Sequence, residues 1–522
     1  MSTDDALDAL WGRAGLGSER CLGCDVCCRF ASPTAAFVPF FTAAEAAACG
    51  LAPTSWTPEP EARNPEPGVR PLVVREGEWW RCPLRAEGSQ ACTAYGRRPL
   101  DCRLYPFVLA FDRLGKGVWL GLDSACPFAA EAWGSPRLAE AADAATRLLE
   151  GVLADGVAAA PGIVGGWQEH VRLLRLLPGL SRRICRSDLG LARLVGSCRG
   201  ELGGLFARRP TALSGHAFPA IYLWGSLFNL FWRVEADCLL VFAESEGVSF
   251  LIAPPLGGGD AGRALRAAGE TMAAINGPRG GARVQEVDAG LLPALAAEGW
   301  EVGHRTQEYV CETASLVELR GRHFDGRRHD VRRFEALCPG AVWRRYAAGD
   351  FPACAALLQR WQAERAAAHP DPLYRGQLEA AGHLHLRTLR EAEELGLEGY
   401  VVELPPAGAD GWRDEAVGGA EDPSVLPHSS THPRIQPSSR PIAAYTFGFP
   451  LADGATFADF IEVADLRYRG LAAWTFRRLC REARDWPWLN LGTDSELPSL
   501  ARAKLACRPA RIVASYVLNS PQ

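Results

Sequence analysis

The stretch IAAYTFGFPLADGATFADFIEVADLRYRGLA spans residues 442–472, and its punctuation decides how the C-terminal half folds. Ile442 to Phe449 reads as a strand, and Pro450 to Gly454 as a turn ending in an Asp-Gly pair, a hairpin signal. Phe457 to Leu466 reads as the returning strand. Arg467-Tyr-Arg-Gly470-Leu-Ala472 then opens a helix to about Ala483, with Ala472, Phe476, Leu479, Cys480 and Ala483 at the spacing of one face. A strand, a glycine-containing turn and a helix start together present backbone amides at a helix N-terminus, which suits a phosphate or pyrophosphate. Gly470 permits close backbone approach, and Arg467 and Arg469 add charge of the right geometry for phosphate.

A carboxylate beside a nucleophile can act as a general base, and nearby donors can stabilise a developing oxyanion. On the strand before the turn, Glu462 alternates with Ile461 and Val463, so it reads either as a general base or as a structural acceptor. Tyr445, Asp465 and Asp494 are further catalytic candidates; Asp494 follows the strand-like run Trp488 to Thr493, where a site opens. Lys504, on the next helix, reads as a surface lysine.

The string Arg467-x-x-Gly470-x-Ala472 is similar to the (Gln/Arg)-x-x-Gly-x-(Gly/Ala) loop of GNAT acyltransferases. That resemblance implies that Arg467, Arg469, Gly470, Leu471 and Ala472 hold the pyrophosphate of acyl-CoA. More widely, Leu213 to Leu518 resembles the phosphatidylglycerol lysyltransferase C-terminal family. The matching stretches include Phe218 to Trp232, Leu316 to Phe334, Ala444 to Phe449, Glu462 to Leu471 and Lys504 to Tyr516. This second resemblance implies tandem GNAT-like units and transfer of an amino acid from aminoacyl-tRNA to a lipid headgroup. Lipid lysyltransferases carry an integral-membrane part, whereas here a cysteine module precedes the region, so a lipid acceptor is expected only as a peripheral headgroup. Arg320, Arg322, Arg327, Arg328, Arg332 and Arg333 lie within fourteen residues. A helix starting near Gly326 offers Arg327, Arg328 and Arg332 to tRNA phosphates; the other reading is a solvated face paired with Asp325 and Asp330.

The N-terminal quarter carries different chemistry. Cys21-Leu-Gly-Cys24-Asp-Val-Cys27-Cys28 is followed by Cys82, Cys92, Cys102 and Cys126. A C-x-x-C turn lets two thiolates converge on one ion, and soft thiolates select zinc or iron, including an iron–sulfur cluster. Adjacent Cys27 and Cys28 diverge and more easily serve two sites than one. These residues, with Tyr95, Arg98, Pro99, Cys102, Arg103, Tyr105 and Pro106, resemble the CxxCxxCC (YkgJ-type) family of zinc- or iron-chelating proteins over residues 18 to 130. The resemblance implies metal binding and names no reaction.

The remaining features set bounds. A chain of 522 residues predicts three or four domains. A net charge of −5 argues against a surface that binds nucleic acid throughout. The acidic N-terminus lacks a signal-peptide pattern and no run of apolar residues is long enough to span a bilayer, so a cytoplasmic protein with thiols kept reduced is expected. The fold class expected is α/β (α+β): a metal-stapled cysteine module at 1–130, a helical connector at 131–205, and tandem GNAT-like mixed-sheet domains at 206–310 and 311–522. The connector's helices are placed at Leu138 to Leu153 and Trp167 to Leu177. Strands are expected at Phe228 to Arg233, Cys238 to Glu244 and Val248 to Ala253, and a helix at Ala261 to Ile275. Residues 405–440, rich in Pro, Gly, Ser and Asp and holding His428 and His432, read as a mobile insertion. The function expected is acyl or aminoacyl transfer to an amine or hydroxyl, from acyl-CoA or aminoacyl-tRNA. The rivals are a ligand-binding protein without catalysis and an iron–sulfur redox protein.

Overall fold

The computed structural model describes Leu7 and residues 24–35, 37–52, 56–58, 68–277, 280–297, 299–405 and 440–520. Cys21 and the insertion residues 406–439, with His428 and His432, lie outside them. The chain divides into two compact units: residues 1–305, 383–395 and 514–522, and residues 306–382 and 396–513. The cysteine module, the connector and the first GNAT-like region thus share one unit. Among the described residues no helix is long and apolar enough to cross a membrane.

In the first unit, β1 (Phe107–Phe111), β2 (Val118–Asp123) and β3 (Val171–Leu176) form an antiparallel sheet. The helix expected over Trp167 to Leu177 is therefore a strand. Its Leu/Arg run fits either period, and pairing with β2 decides for the extended one. Helix α1 (Pro136–Glu150) begins where Ser135 accepts a hydrogen bond from the Leu138 amide at 3.2 Å, with Pro136 at the first helical position. After α2 (Pro178–Cys185), a mixed sheet starts with β4 (Ala192–Arg193), β5 (Asn229–Glu235), β6 (Cys238–Ser245) and β7 (Val248–Leu251). Helix α3 (Ala261–Asn276) follows and leads to β8 (Arg283–Asp288). β8 pairs parallel to β7 at Leu251–Val284 and antiparallel to Ser515–Asn519. The Asn276 side chain locks α3 to β7: it accepts from the Ser249 amide at 2.6 Å and donates to the Ser249 carbonyl at 3.0 Å. The core here joins Phe231, Leu240 and Phe242 of the sheet to Leu265, Ala268 and Met272 of α3.

In the second unit the sheet runs β9 (Glu301–Glu312, from Thr306 onward), β14 (Trp488–Thr493), β13 (Thr456–Ala464), β12 (Ile442–Pro450), β11 (Glu398–Glu403) and β10 (Val342–Arg345). Only β13 and β14 pair parallel; the other neighbours are antiparallel. Helices α4 (Asp325–Leu337), α5 (Phe351–Ala368), α6 (Leu471–Glu482) and α7 (Pro498–Leu505) complete the unit. On α6 the buried residues are Leu471, Trp474, Thr475, Leu479 and Cys480, while Ala472 is exposed. The apolar face is thus rotated toward Trp474, which packs on Phe334 of α4 at 5.3 Å.

Candidate active site in the second unit

The ladder between β13 and β14 runs from Thr456–Trp488 to Ala458–Asn490. β13 continues to Ala464 and β14 to Thr493, and the side chains of chemical interest gather along these continuations. Two irregularities aim them. The register of β12 against β13 pairs Phe447 with Ile461 but Gly448 with Asp459, leaving Phe460 as an extra residue. In a regular strand Asp459 and Glu462, three apart, face opposite sides. The bulge resets the alternation and brings both carboxylates to one side, where Glu462 feels the charge of Asp459. The second bulge sits in β14 opposite Tyr309, and Gly492 there has φ +70°, a conformation natural to glycine.

Lys504 reaches from α7 into this region. Its ammonium donates to the carbonyl oxygens of Leu491 and Thr493. A Cβ at Gly492 would stand 3.7 Å from Lys504 Nζ and 4.0 Å from the Asp459 carbonyl. Burial pulls the Lys504 pKa down, opposed by the nearby carboxylates of Asp459, Glu308 and Asp494. Burial pushes Asp459 up to about 6, with Lys504 pulling the other way. Burial and the charge of Asp459 raise Glu462 well above the carboxylate range, against the pull of Arg327. Asp494 accepts from the Tyr309 hydroxyl at 2.6 Å, and Gln307 donates to that same hydroxyl at 2.9 Å. Arg327, Glu462, Asp459, Lys504 and Asp494 therefore form one chain of alternating and like charges.

Of the residues expected from sequence, Glu462 and Asp494 join this chain and Tyr445 does not. Tyr445 is fully buried, lies opposite Val463 rather than Glu462, and has Cys354 of α5 and Tyr346 as its neighbours. Lys504 is no surface lysine: it is partly buried and hydrogen-bonded on the sheet. Asp459 carried no sequence signal, because a bulge is not written in residue type.

The glycine turn serves packing first. Gly470 has φ +88°, and a Cβ there would collide with the Asp330 carbonyl of α4. Around it the amides of Arg467, Tyr468 and Leu471 bond to Asp465 Oδ1, the Asp465 carbonyl and the Tyr468 carbonyl at 3.1, 3.2 and 3.1 Å. The Arg467 guanidinium forks onto Asp465 at 2.6 to 3.2 Å, and Asp465 is held below the usual carboxylate range by that partner despite its burial. Arg469 and Ala472 are exposed and Leu471 is buried. Gly470→Ala is expected to destabilise the protein by about 2 kcal/mol or more, combining a left-handed backbone with a steric clash; urea unfolding of the variant measures it.

The expected tRNA-facing arginines divide. Arg327 turns inward, donating to the Ala503 carbonyl at 3.1 Å and to Cys507 Sγ at 2.8 Å. Arg328 is tied to Leu319, Gly321 and Asp325. Arg332 is exposed and bonds the Arg328 carbonyl at 3.2 Å, while Arg333 is exposed.

In the first unit none of Cys24, Cys27, Cys28, Cys82, Cys92, Cys102 and Cys126 forms a disulfide among the described residues. Cys27 and Cys28 stand 3.9 Å apart. Cys82, Cys92 and Cys102 each feel the charge of Cys28, and Cys126 feels that of Cys24. The donor type suits a soft metal, yet among the described residues no three His, Cys, Asp or Glu side chains converge as ligands.

The family model for the C-terminal region of phosphatidylglycerol lysyltransferase matches residues 206–518. The chain belongs to that family. Its members' fold recurs in a conserved protein of unknown function from Bacteroides thetaiotaomicron, 18% identical with a TM-score of 0.51, covering 63% of this chain and 99% of that one. L-PGS from Bacillus licheniformis is 11% identical with a TM-score of 0.40, covering 61% of this chain and 90% of that one. FemX is also 11% identical at 0.40, over 63% and 96%. No curated protein matches the sequence. The mixed α/β fold expected for the C-terminal part is the one observed, a largely antiparallel sheet with the parallel pairs β7–β8 and β13–β14.

Proposed function

We propose that the second unit transfers an acyl or aminoacyl group to an amine or hydroxyl, with the reacting carbonyl held beside Lys504 and the Asp459–Glu462 pair. The observation that carries this reading is the bulge at Phe460, which sets two carboxylates side by side next to a partly buried ammonium. Such a pair holds one proton readily and a second negative charge with difficulty. Asp459, the lower of the two, accepts the proton that the acceptor nitrogen or oxygen sheds as it attacks the carbonyl carbon. Glu462, kept protonated by burial, returns a proton to the oxygen or sulfur of the donor as its bond to the acyl carbon breaks. Lys504 supplies positive charge for the carbonyl oxygen as it becomes an oxyanion.

Between the two donor classes, aminoacyl-tRNA is favoured over acyl-CoA. Three amides of the glycine turn and the Arg467 fork are already bonded within the protein, which leaves less of a cradle for a diphosphate. Family membership points the same way, since the family's name describes lysine transfer to phosphatidylglycerol. The test is loss of labelled amino acid from a mixed aminoacyl-tRNA pool, measured against pH in the presence of hydroxyl and amine acceptors. Turnover should fall as the pH drops through about 6, because Asp459 must be ionised to act as base. A rate that is flat across that window removes Asp459 from the mechanism.

From their spacing and soft donor type alone, Cys21, Cys24, Cys27, Cys28, Cys82, Cys92, Cys102 and Cys126 are proposed to hold zinc or iron. No step of the transfer is routed through that metal. Native mass spectrometry of freshly isolated protein should show a bound-metal mass that a strong chelator removes; a protein isolated free of metal excludes the assignment.

A further inference from the structure

The first unit encloses a cavity of about 230 Å³, apart from the acyl-transfer site of the second unit. Its walls come from both parts of that unit. The cysteine module and connector contribute Arg70 and the turn from Pro161 to Gly166. The connector also contributes Arg193, the first GNAT-like region contributes Tyr222, Gly225 and Leu230, and residues 383–395 contribute Arg387, Arg390, Glu391 and Glu394.

Three of the four guanidiniums are held by contacts within the protein. Arg70 donates to the carbonyls of Val38 and, at 3.3 Å, Gly162. Arg193 donates to Asn229 Oδ1 at 2.8 Å and lies over the Phe231 ring. Arg387 donates to Glu391 Oε1 at 3.1 Å and stacks on the Tyr222 ring, 4.2 Å from its centroid. Two glycines leave room for the ends of charged side chains. A Cβ at Gly196 would stand 2.6 Å from Glu394 Oε1, and one at Gly225 would collide with Arg387 Nη1.

Four arginines and two glutamates line the cavity, and Asp101 lies near enough to Arg70 to feel its charge. Like charges gathered in a partly desolvated space repel one another, and an anion of matching charge relieves that repulsion. We propose that the cavity is a binding site for a small dianion, a phosphate monoester or a dicarboxylate, held by the guanidiniums of Arg193, Arg387 and Arg390. Planar guanidiniums engage carboxylate and phosphate oxygens in pairs, so both classes share the chemistry. The volume lies below the roughly 300–1000 Å³ of pockets for drug-sized ligands, which limits the occupant to a small metabolite. Because the walls belong to both the cysteine module with its connector and the first GNAT-like region, such a ligand would tie those two parts together.

Isothermal titration calorimetry of the full chain, with glycerol 3-phosphate and with succinate as separate probes and acetate as a monoanionic control, tests the proposal. One of the two dianions should bind in a one-to-one, saturable way, and acetate should not; which one binds assigns the class. Arg390→Gln should weaken that binding by about tenfold or more, the scale of losing one charged contact. Glu394→Gln should tighten it, because it removes a repelling carboxylate. Opposite responses of this kind do not arise from a general loss of structure, and circular dichroism melts of both variants check that each is folded. Binding of neither dianion below about 10 mM, or binding that both variants leave unchanged, overturns the assignment.

Discussion

Lys504→Met is expected to lower kcat/KM for acyl transfer by about 100- to 1000-fold, the effect of removing one preorganised charge from a developing oxyanion. The substitution keeps the length and most of the volume of the side chain, so α7 should stay in place. What disappears is the ammonium that bonds the Leu491 and Thr493 carbonyls and faces Asp459. A second signature follows from the same contact. Lys504 pulls the Asp459 pKa down against burial, so its loss moves the acid limb of the rate profile above about 6. A lysine that merely braces the strand end would change stability and leave that limb where it was. Rate–pH profiles of the wild type and the variant, beside their melting curves, separate the two roles; a variant within threefold of wild type at its own best pH removes Lys504 from the chemistry.

Glu462→Gln should cost about 100- to 10,000-fold in kcat, the usual worth of a positioned acid or base, with little change in stability. Burial and Asp459 already keep the Glu462 carboxyl protonated, so the amide replaces one neutral group by another. Asp459 adds a pH dependence of stability. Its folded-state pKa is raised to about 6 from 3.8, so its contribution to folding is complete at low pH and is lost as the pH rises through about 6. Chemical denaturation of Glu462→Gln at two pH values and single-turnover transfer rates measure both effects. Full activity in the glutamine variant would leave Glu462 as a structural acceptor only.

Most of the elements could be read from local pattern. The hairpin is observed at Ile442–Pro450 and Thr456–Ala464, the first-unit strands at Asn229–Glu235, Cys238–Ser245 and Val248–Leu251, and the helix at Ala261–Asn276. Each rests on signals carried within a few residues, an Asp-Gly turn, strand pattern or helical spacing, and in the structure Asp260 caps the helix by accepting from the Arg263 amide at 3.0 Å. Local reading failed at Val171–Leu176, whose leucines and arginines fit a helix or a strand until β2 supplied a ladder.

The site divides along the same line. Glu462 and Asp494 were legible because a carboxylate on a strand or just past its end is unusual in sequence. Residue order alone thus determined the alternating pattern, the caps, the glycine turn and the family to which residues 206–518 belong. Only the tertiary structure decided that Asp459 shares a face with Glu462, that Lys504 is partly buried, and that Tyr445 is walled off from both. The physical reason is that a bulge, a pairing register and a desolvated charge are properties of two or more strands brought together, whereas helix periods and turns are written in one.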